Sequence, residues 1–108
     1  MSEQEENELL CEKLLGWVRL KYQPNLTIGV RWMRGNDNPM SHEVLRTPSF
    51  RSVADAALIL EVLRMRGTVH IELDVHFADV RFQQIRSVEF ELPLAVRAAA
   101  LEYIRSQS

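Results

Sequence analysis

A chain of 108 residues, 46% apolar and 26% charged, has the size and composition of one packed domain, too short for two and too ordinary for a disordered or fibrous class. Its net charge of −2 supplies no field that would gather nucleic acid nonspecifically, so direct nucleic-acid binding is not expected. The opening MSEQEENE is not a basic segment followed by an apolar one, and no apolar run could span a bilayer, so the expected location is the cytoplasm, without membrane contact.

In chain order, residues Glu5 to Leu15 are strong helix formers, with Leu10, Leu14 and Trp17, or Cys11, Leu14 and Val18, recurring at helical spacing. Glutamates at 3, 5, 6 and 8 suit the N-terminal end of the dipole, and Gly16 is placed to stop the helix. Cys11 cannot form an internal disulfide, which fits a reducing compartment; on the apolar face of this helix it reads as a structural thiol. Val18, Leu20 and Tyr22 then alternate with polar residues, as do Leu26, Ile28, Val30 and Trp32, which predicts a hairpin turning at Pro24-Asn25. The first arm has an alternative, since Trp17 to Tyr22 could extend the helix. Residues 34–51, RGNDNPMSHEVLRTPSFR, keep no period and contain Gly35, Pro39 and Pro48, which predicts a long loop.

A second helix follows, with Ser52 as N-cap, Asp55 three residues on, Ala56, Ile59, Leu60 and Leu63 facing inward, and Gly67 after Arg64 and Arg66. From Val69 to Phe77 the alternation is complete, which predicts a strand burying Val69, Ile71, Leu73, Val75 and Phe77. A short connection at Ala78-Asp79 leads to Val80 and Phe82, and on to Val88 and Phe90; the break in period at Gln84, Ile85 and Arg86 predicts a bulge or bend within that strand. Leu92-Pro93 opens a third helix with Leu94, Ala98, Leu101 and Ile104 as its core stripe. The expected fold is therefore α+β, a single domain over 1–108, with three helices on a small, mostly antiparallel sheet in the order α-β-β-α-β-β-α.

Charge is unevenly spread. Residues 1–16 carry five Glu against one Lys, whereas 17–51 carry Arg19, Lys21, Arg31, Arg34, Arg46 and Arg51 against Asp37 and Glu43. Arginine outnumbers lysine eleven to two, which follows either from a GC-rich genome or from selection for forked, planar donors. The candidate binding set is Arg31, Trp32, Arg34, His42, Arg46, Phe50 and Arg51, since guanidinium forks fit anions and aromatic rings take base faces. Against it stands a solvated loop with Trp32 in the core at the end of a strand.

Other constellations are weaker. His70, Glu72, Asp74 and His76 share one strand face, but residues strung along a strand cannot all converge on one ion, and no CxxC or HExxH accompanies them. Ser41-His42-Glu43 joins a nucleophile, a base and a carboxylate, but chain neighbours rarely take triad geometry. Glycine-rich phosphate loops are absent from the sequence. These readings imply a protein that is not an enzyme and needs no cofactor or metal.

EKLLGW at Glu12 to Trp17, Trp32, Pro48 before the capped helix, the Ala56-Ala57 pair, and Pro93, Ala95 and the run from Ala98 to Leu101 together resemble the small phage and prophage proteins grouped as the phage ABA sandwich domain. Residues 68–92 depart from that pattern, and the family offers no catalytic residues to carry over. What the resemblance implies is a small accessory protein in the bacterial cytoplasm that acts by binding a host or phage protein, inhibiting or modulating a defence or nucleic-acid-handling complex. Exposed sheet edges make a homodimer a further expectation. The alternative is capture of a small anionic ligand, such as a nucleotide signal, by the basic middle section.

Overall fold

Ser2 opens the first helix, α1 (Glu3–Leu9), accepting the Glu5 backbone N–H on its Oγ at 3.2 Å, while Glu3, Glu5 and Glu6 occupy the first turn where the dipole favours anions. The computed structural model describes residues 1–20, 30–35 and 43–107. Over these the fold is α+β, and its contacts gather into two units, 1–48 and 49–108, each with a three-stranded antiparallel sheet. The observed order is α-β-β-β-α-β-β-β-α: the single sheet expected from the sequence is two sheets, and each half gains a strand.

In the first unit, α1 runs into a wider π-helical turn, Leu10–Leu14, where the Leu15 N–H reaches back to the Leu10 carbonyl at 3.0 Å and the Trp17 N–H to Cys11 at 2.9 Å. Leu10, Cys11 and Leu14 are buried there, and Gly16 ends the helix at φ 71°, a left-handed conformation natural to glycine. Strand β1 (Val18–Arg19) follows, so the segment after Gly16 turns to strand and does not prolong the helix. It pairs antiparallel with β2 (Arg31–Met33), Val18 opposite Met33 and Arg19 opposite Trp32, as the hairpin reading requires; the turn expected at Pro24-Asn25 lies outside the described residues.

The loop reading of 34–51 needs correction. Strand β3 (Leu45–Arg46) lies within it and pairs with β2, Arg31 opposite Arg46 and Trp32 opposite Leu45. Two residues give too short a pattern for periodicity to show, so the pairing is set by the neighbouring strand. At Gly35 a Cβ would lie 2.7 Å from the Gly16 carbonyl oxygen, so only glycine allows these two backbones to approach.

The second unit begins with a tight link. Phe50 takes φ 56°, its N–H donating to Asp55 Oδ2 at 3.2 Å, and Ser49 Oγ donates to the same oxygen at 3.4 Å. Helix α2 (Val53–Arg66) starts at the expected cap, with Ser52 Oγ accepting the Asp55 N–H at 3.1 Å; it buries Ala56, Ile59 and Leu63 and leaves Leu60 half-buried. Gly67 follows in extended backbone, and the need for glycine is steric: a Cβ would meet the Phe82 ring at 3.1 Å.

The second sheet has the order β4 (Val69–Leu73), β5 (Ala78–Phe82), β6 (Ile85–Glu89). The expected bulge near Gln84 is instead a reversal: Gln83 and Gln84 form a two-residue hairpin loop with Phe82 opposite Ile85, and Gln83 sits at φ 56°. Hairpin loops of this kind usually announce themselves by glycine or asparagine, and this one has neither. Helix α3 (Leu92–Gln107), with Pro93 in its first turn, packs on β5 and β6 and against α2.

Its buried positions are Pro93, Ala95, Val96, Ala99, Ala100, Leu101 and Tyr103, so of the expected stripe only Leu101 is core; Leu94, Ala98 and Ile104 are half-buried. Alanines allow the helix axis close to the sheet, and Tyr103 is drawn inward by an edge-on contact with Phe82 at 5.3 Å and by Arg66, 5.7 Å above its ring. The helix covers β5 and β6 but leaves β4 at the margin. Ile71, Leu73 and Val75, expected in the core, are 42%, 64% and 92% exposed. Among the described residues no helix is long and apolar enough to cross a membrane.

Candidate functional site

The expected binding residues separate into an interior pair and an outer group. Trp32 is fully buried, its Nε1 donating to Thr47 Oγ1 at 2.8 Å. The Arg19 guanidinium lies 5.0 Å from the centre of the Trp32 ring and 3.2 Å from Glu8 Oε1, so one cation of the basic section is held between an indole and the acidic helix. Phe50 is fully buried too. Neither ring presents a face on which a base could stack, which corrects the expectation that these two aromatics line a ligand site.

His42 and Ser41 lie outside the described residues, and Glu43 is exposed. Arg51 is exposed beside the start of α2, in the other unit from Arg31, Arg34 and Arg46.

Two arginines of the first unit are brought together by the β2–β3 pairing. Direct cross-strand partners project from the same face, so Arg31 and Arg46 stand side by side, their Cβ atoms about 5 Å apart by the geometry of such pairs. Arg34 follows β2 directly and is exposed, as is Arg46, while Arg31 is half-buried. Alternation places Val18 and Met33 on the same face as the two arginines, with Trp32 and Leu45 on the opposite one. Val18 is 43% exposed and Val44, before β3, is 53% exposed, so the cations are flanked by apolar surface. The sequence holds both valines, but only the strand register reveals that Val18 shares the face of the arginines. This arrangement can seat a carboxylate or phosphate beside a small apolar contact.

A second charged group lies on the second sheet. Asp79 on β5 is almost fully buried, yet Arg86 Nη2 donates to its Oδ2 at 2.8 Å, Arg86 Nε at 3.2 Å, and Arg81 Nη2 at 3.2 Å. The Arg86 hydrogen bonds hold the Asp79 carboxyl below the ordinary carboxylate range; desolvation pushes the other way, and the bond and charge of Arg81 add to the lowering. The same contact raises the Arg86 guanidinium above its usual value. Both Asp79 carboxylate oxygens accept from Arg86, and Oδ2 accepts from Arg81 as well, so this buried charge is compensated within the chain.

The strand face expected to carry His70, Glu72, Asp74 and His76 is cut short, because β4 ends at Leu73. Asp74 turns the chain instead, its Oδ1 accepting the His76 N–H at 3.2 Å, and only His70 and Glu72 stay on the strand. Among the described residues no three His, Cys, Asp or Glu side chains are grouped to hold a metal ion. Cys11 is a buried free thiol, as its place on the apolar helix face predicts. No protein-family model, curated protein or solved structure matches this chain.

Proposed function

We propose that this protein works by binding another protein, seating an acidic segment of its partner on the arginine-bearing face of the first unit. The observation that carries this reading is the pairing of Arg31 with Arg46 directly across β2–β3, with exposed Val18 on the same face and exposed Arg34 and Val44 next to these strands in the chain. The exposed guanidiniums of Arg34 and Arg46 supply forked donors for carboxylates, and the valines supply the dry contact area that gives such a pairing its strength. The setting comes from the resemblance to phage ABA sandwich proteins: a small accessory protein that inhibits or modulates a host defence or nucleic-acid-handling complex. Capture of a small anionic ligand draws on the same arginines but loses its aromatic platform, since Trp32 and Phe50 are buried.

The test is affinity capture from a bacterial host lysate with three baits: the wild-type protein, Arg34→Glu/Arg46→Glu, and Arg64→Glu on α2 as a charge-reversal control in the other unit. The expected result is one stoichiometric protein held by the wild type and the control and lost with the double variant. An empty lane for the wild type, or the same protein on all three baits, overturns the proposal. Calorimetric heats with a nucleotide mixture that vanish in the double variant would transfer the site to the anionic ligand.

A further inference from the structure

We infer that β4 is a self-association edge, at which a second copy of this chain adds its own β4 antiparallel and joins the two sheets across a two-fold axis. The surface belongs to the second unit and is independent of the arginine-bearing face. Among the described residues β4 has a strand neighbour on one side only, β5. Natural edges are usually blunted by lysine, proline or a bulge, whereas β4 reads VHIEL and projects Ile71 and Leu73 into solvent at 42% and 64% exposure. Both stand on the face that β5 fills with buried Val80 and Ala78, so they prolong the core past the reach of α3.

The register follows from the backbone. The Asp74 N–H donates to the Phe77 carbonyl at 2.8 Å and closes the loop at Val75-His76. Hydrogen-bonding pairs alternate along an antiparallel ladder, so Asp74, Glu72 and His70 turn their amide groups toward β5, and Val69, Ile71 and Leu73 turn theirs outward. A second β4 must therefore match outward residues with outward residues. Centring the two-fold on Ile71 satisfies all of them: Ile71 faces Ile71 of the second copy, and Val69 faces its Leu73.

The same register places His70 opposite Glu72 of the second copy, twice. Shifting the centre to position 70 opposes His70 to itself, and shifting it to 72 opposes the two Glu72 carboxylates. Within one chain the direct cross-strand partner of His70 is Arg81 and that of Glu72 is Asp79. The second copy sets the His70 imidazole beside a Glu72 carboxylate on the open side of each strand. Hydrogen-bond parity, apolar matching and charge thus select one pairing, the self-complementary contact of an isologous dimer.

Sedimentation equilibrium of the full chain tests this. The wild type is expected at twice the chain mass. Ile71→Lys, which opposes two cations at the axis, is expected to run as a monomer with an unchanged circular dichroism spectrum. His70→Glu, which sets carboxylate against carboxylate, should weaken association by about tenfold or more, and His70→Glu/Glu72→His should restore it. Air oxidation reads the register: Ile71→Cys should give a disulfide-linked dimer, while His70→Cys and Glu72→Cys, whose own copies are offset by two positions along the strand, should not. Cys11 is buried and common to all variants. A wild type that stays monomeric at about 0.1 mM, a range in which weak edge contacts associate, a dimer that survives Ile71→Lys, or cross-linking at 70 or 72 in place of 71 would each overturn the inference.

Discussion

Phe50 and Gln83 both hold φ 56°, a conformation that costs a side-chain-bearing residue about 1–2 kcal/mol, and they are held there by different means. Phe50 has its ring buried and its N–H fixed on the Asp55 carboxylate, which also accepts from Ser49 and whose own N–H is capped by Ser52. Asp55→Ala leaves the Phe50 N–H without its acceptor and should cost about 1–2 kcal/mol in urea denaturation. Ser52→Ala, which loses only the cap, should cost about 1 kcal/mol. Equal, negligible losses would show that burial of the Phe50 ring alone fixes the turn. Gln83 is exposed at the tip of a hairpin, with the loop closure itself imposing the angle. Gln83→Gly should therefore stabilise the protein by about 0.5–1 kcal/mol, seen as a raised melting temperature, and a lowered one would contradict the strain argument.

Elements formed where the sequence states its reasons locally. Ser52 with Asp55, the Gly16 stop, and Pro93 in the first turn of α3 each act within one helical turn, so the three helices are legible from residue types and spacing. What was not legible depended on neighbours distant in the chain. The β5–β6 reversal carries no glycine or asparagine, so only the ladder reveals it; the two-residue β3 exists because β2 is beside it; and the burial of Tyr103 in place of Ile104 follows from where Phe82 and Arg66 lie. In the candidate site the arginines are readable as residues, but the pairing of Arg31 with Arg46 needs a register. The Asp79 cluster is likewise a product of pairing, since β5 and β6 bring Arg86 to it.

That cluster has a consequence for acid stability. Because Arg86 and Arg81 hold the folded Asp79 carboxyl below its unfolded value, its contribution is complete above the ordinary aspartate range near about 3.9 and is lost as pH falls below it. The melting temperature of the wild type should drop more between about pH 5 and about pH 3 than that of Asp79→Asn, which has no carboxyl to protonate. Parallel curves for the two proteins would remove Asp79 from the acid response.

At the scale of the whole chain, the two units divide at Pro48–Ser49, and among the described residues their cores are unequal. Among the described residues, the first buries the apolar side chains Leu10, Cys11, Leu14 and Trp32, whereas the second buries Phe50, Ile59, Leu63, Val80, Phe82 and the inner face of α3. A chain near 60 residues buries about 60% of its unfolded surface and stands close to the lower limit for folding alone. The second unit meets that limit with two capped or proline-led helices on a hairpin-connected sheet, an arrangement of mostly near-neighbour contacts that costs little loop entropy. The fragment 49–108 should therefore unfold in one cooperative transition, with a urea dependence smaller than that of the full chain because less surface is exposed. The fragment 1–48, with fewer large buried side chains, should show no sigmoidal transition. Circular dichroism of both fragments in urea decides the matter, and a featureless curve for 49–108 would mean that neither core is sufficient without the other.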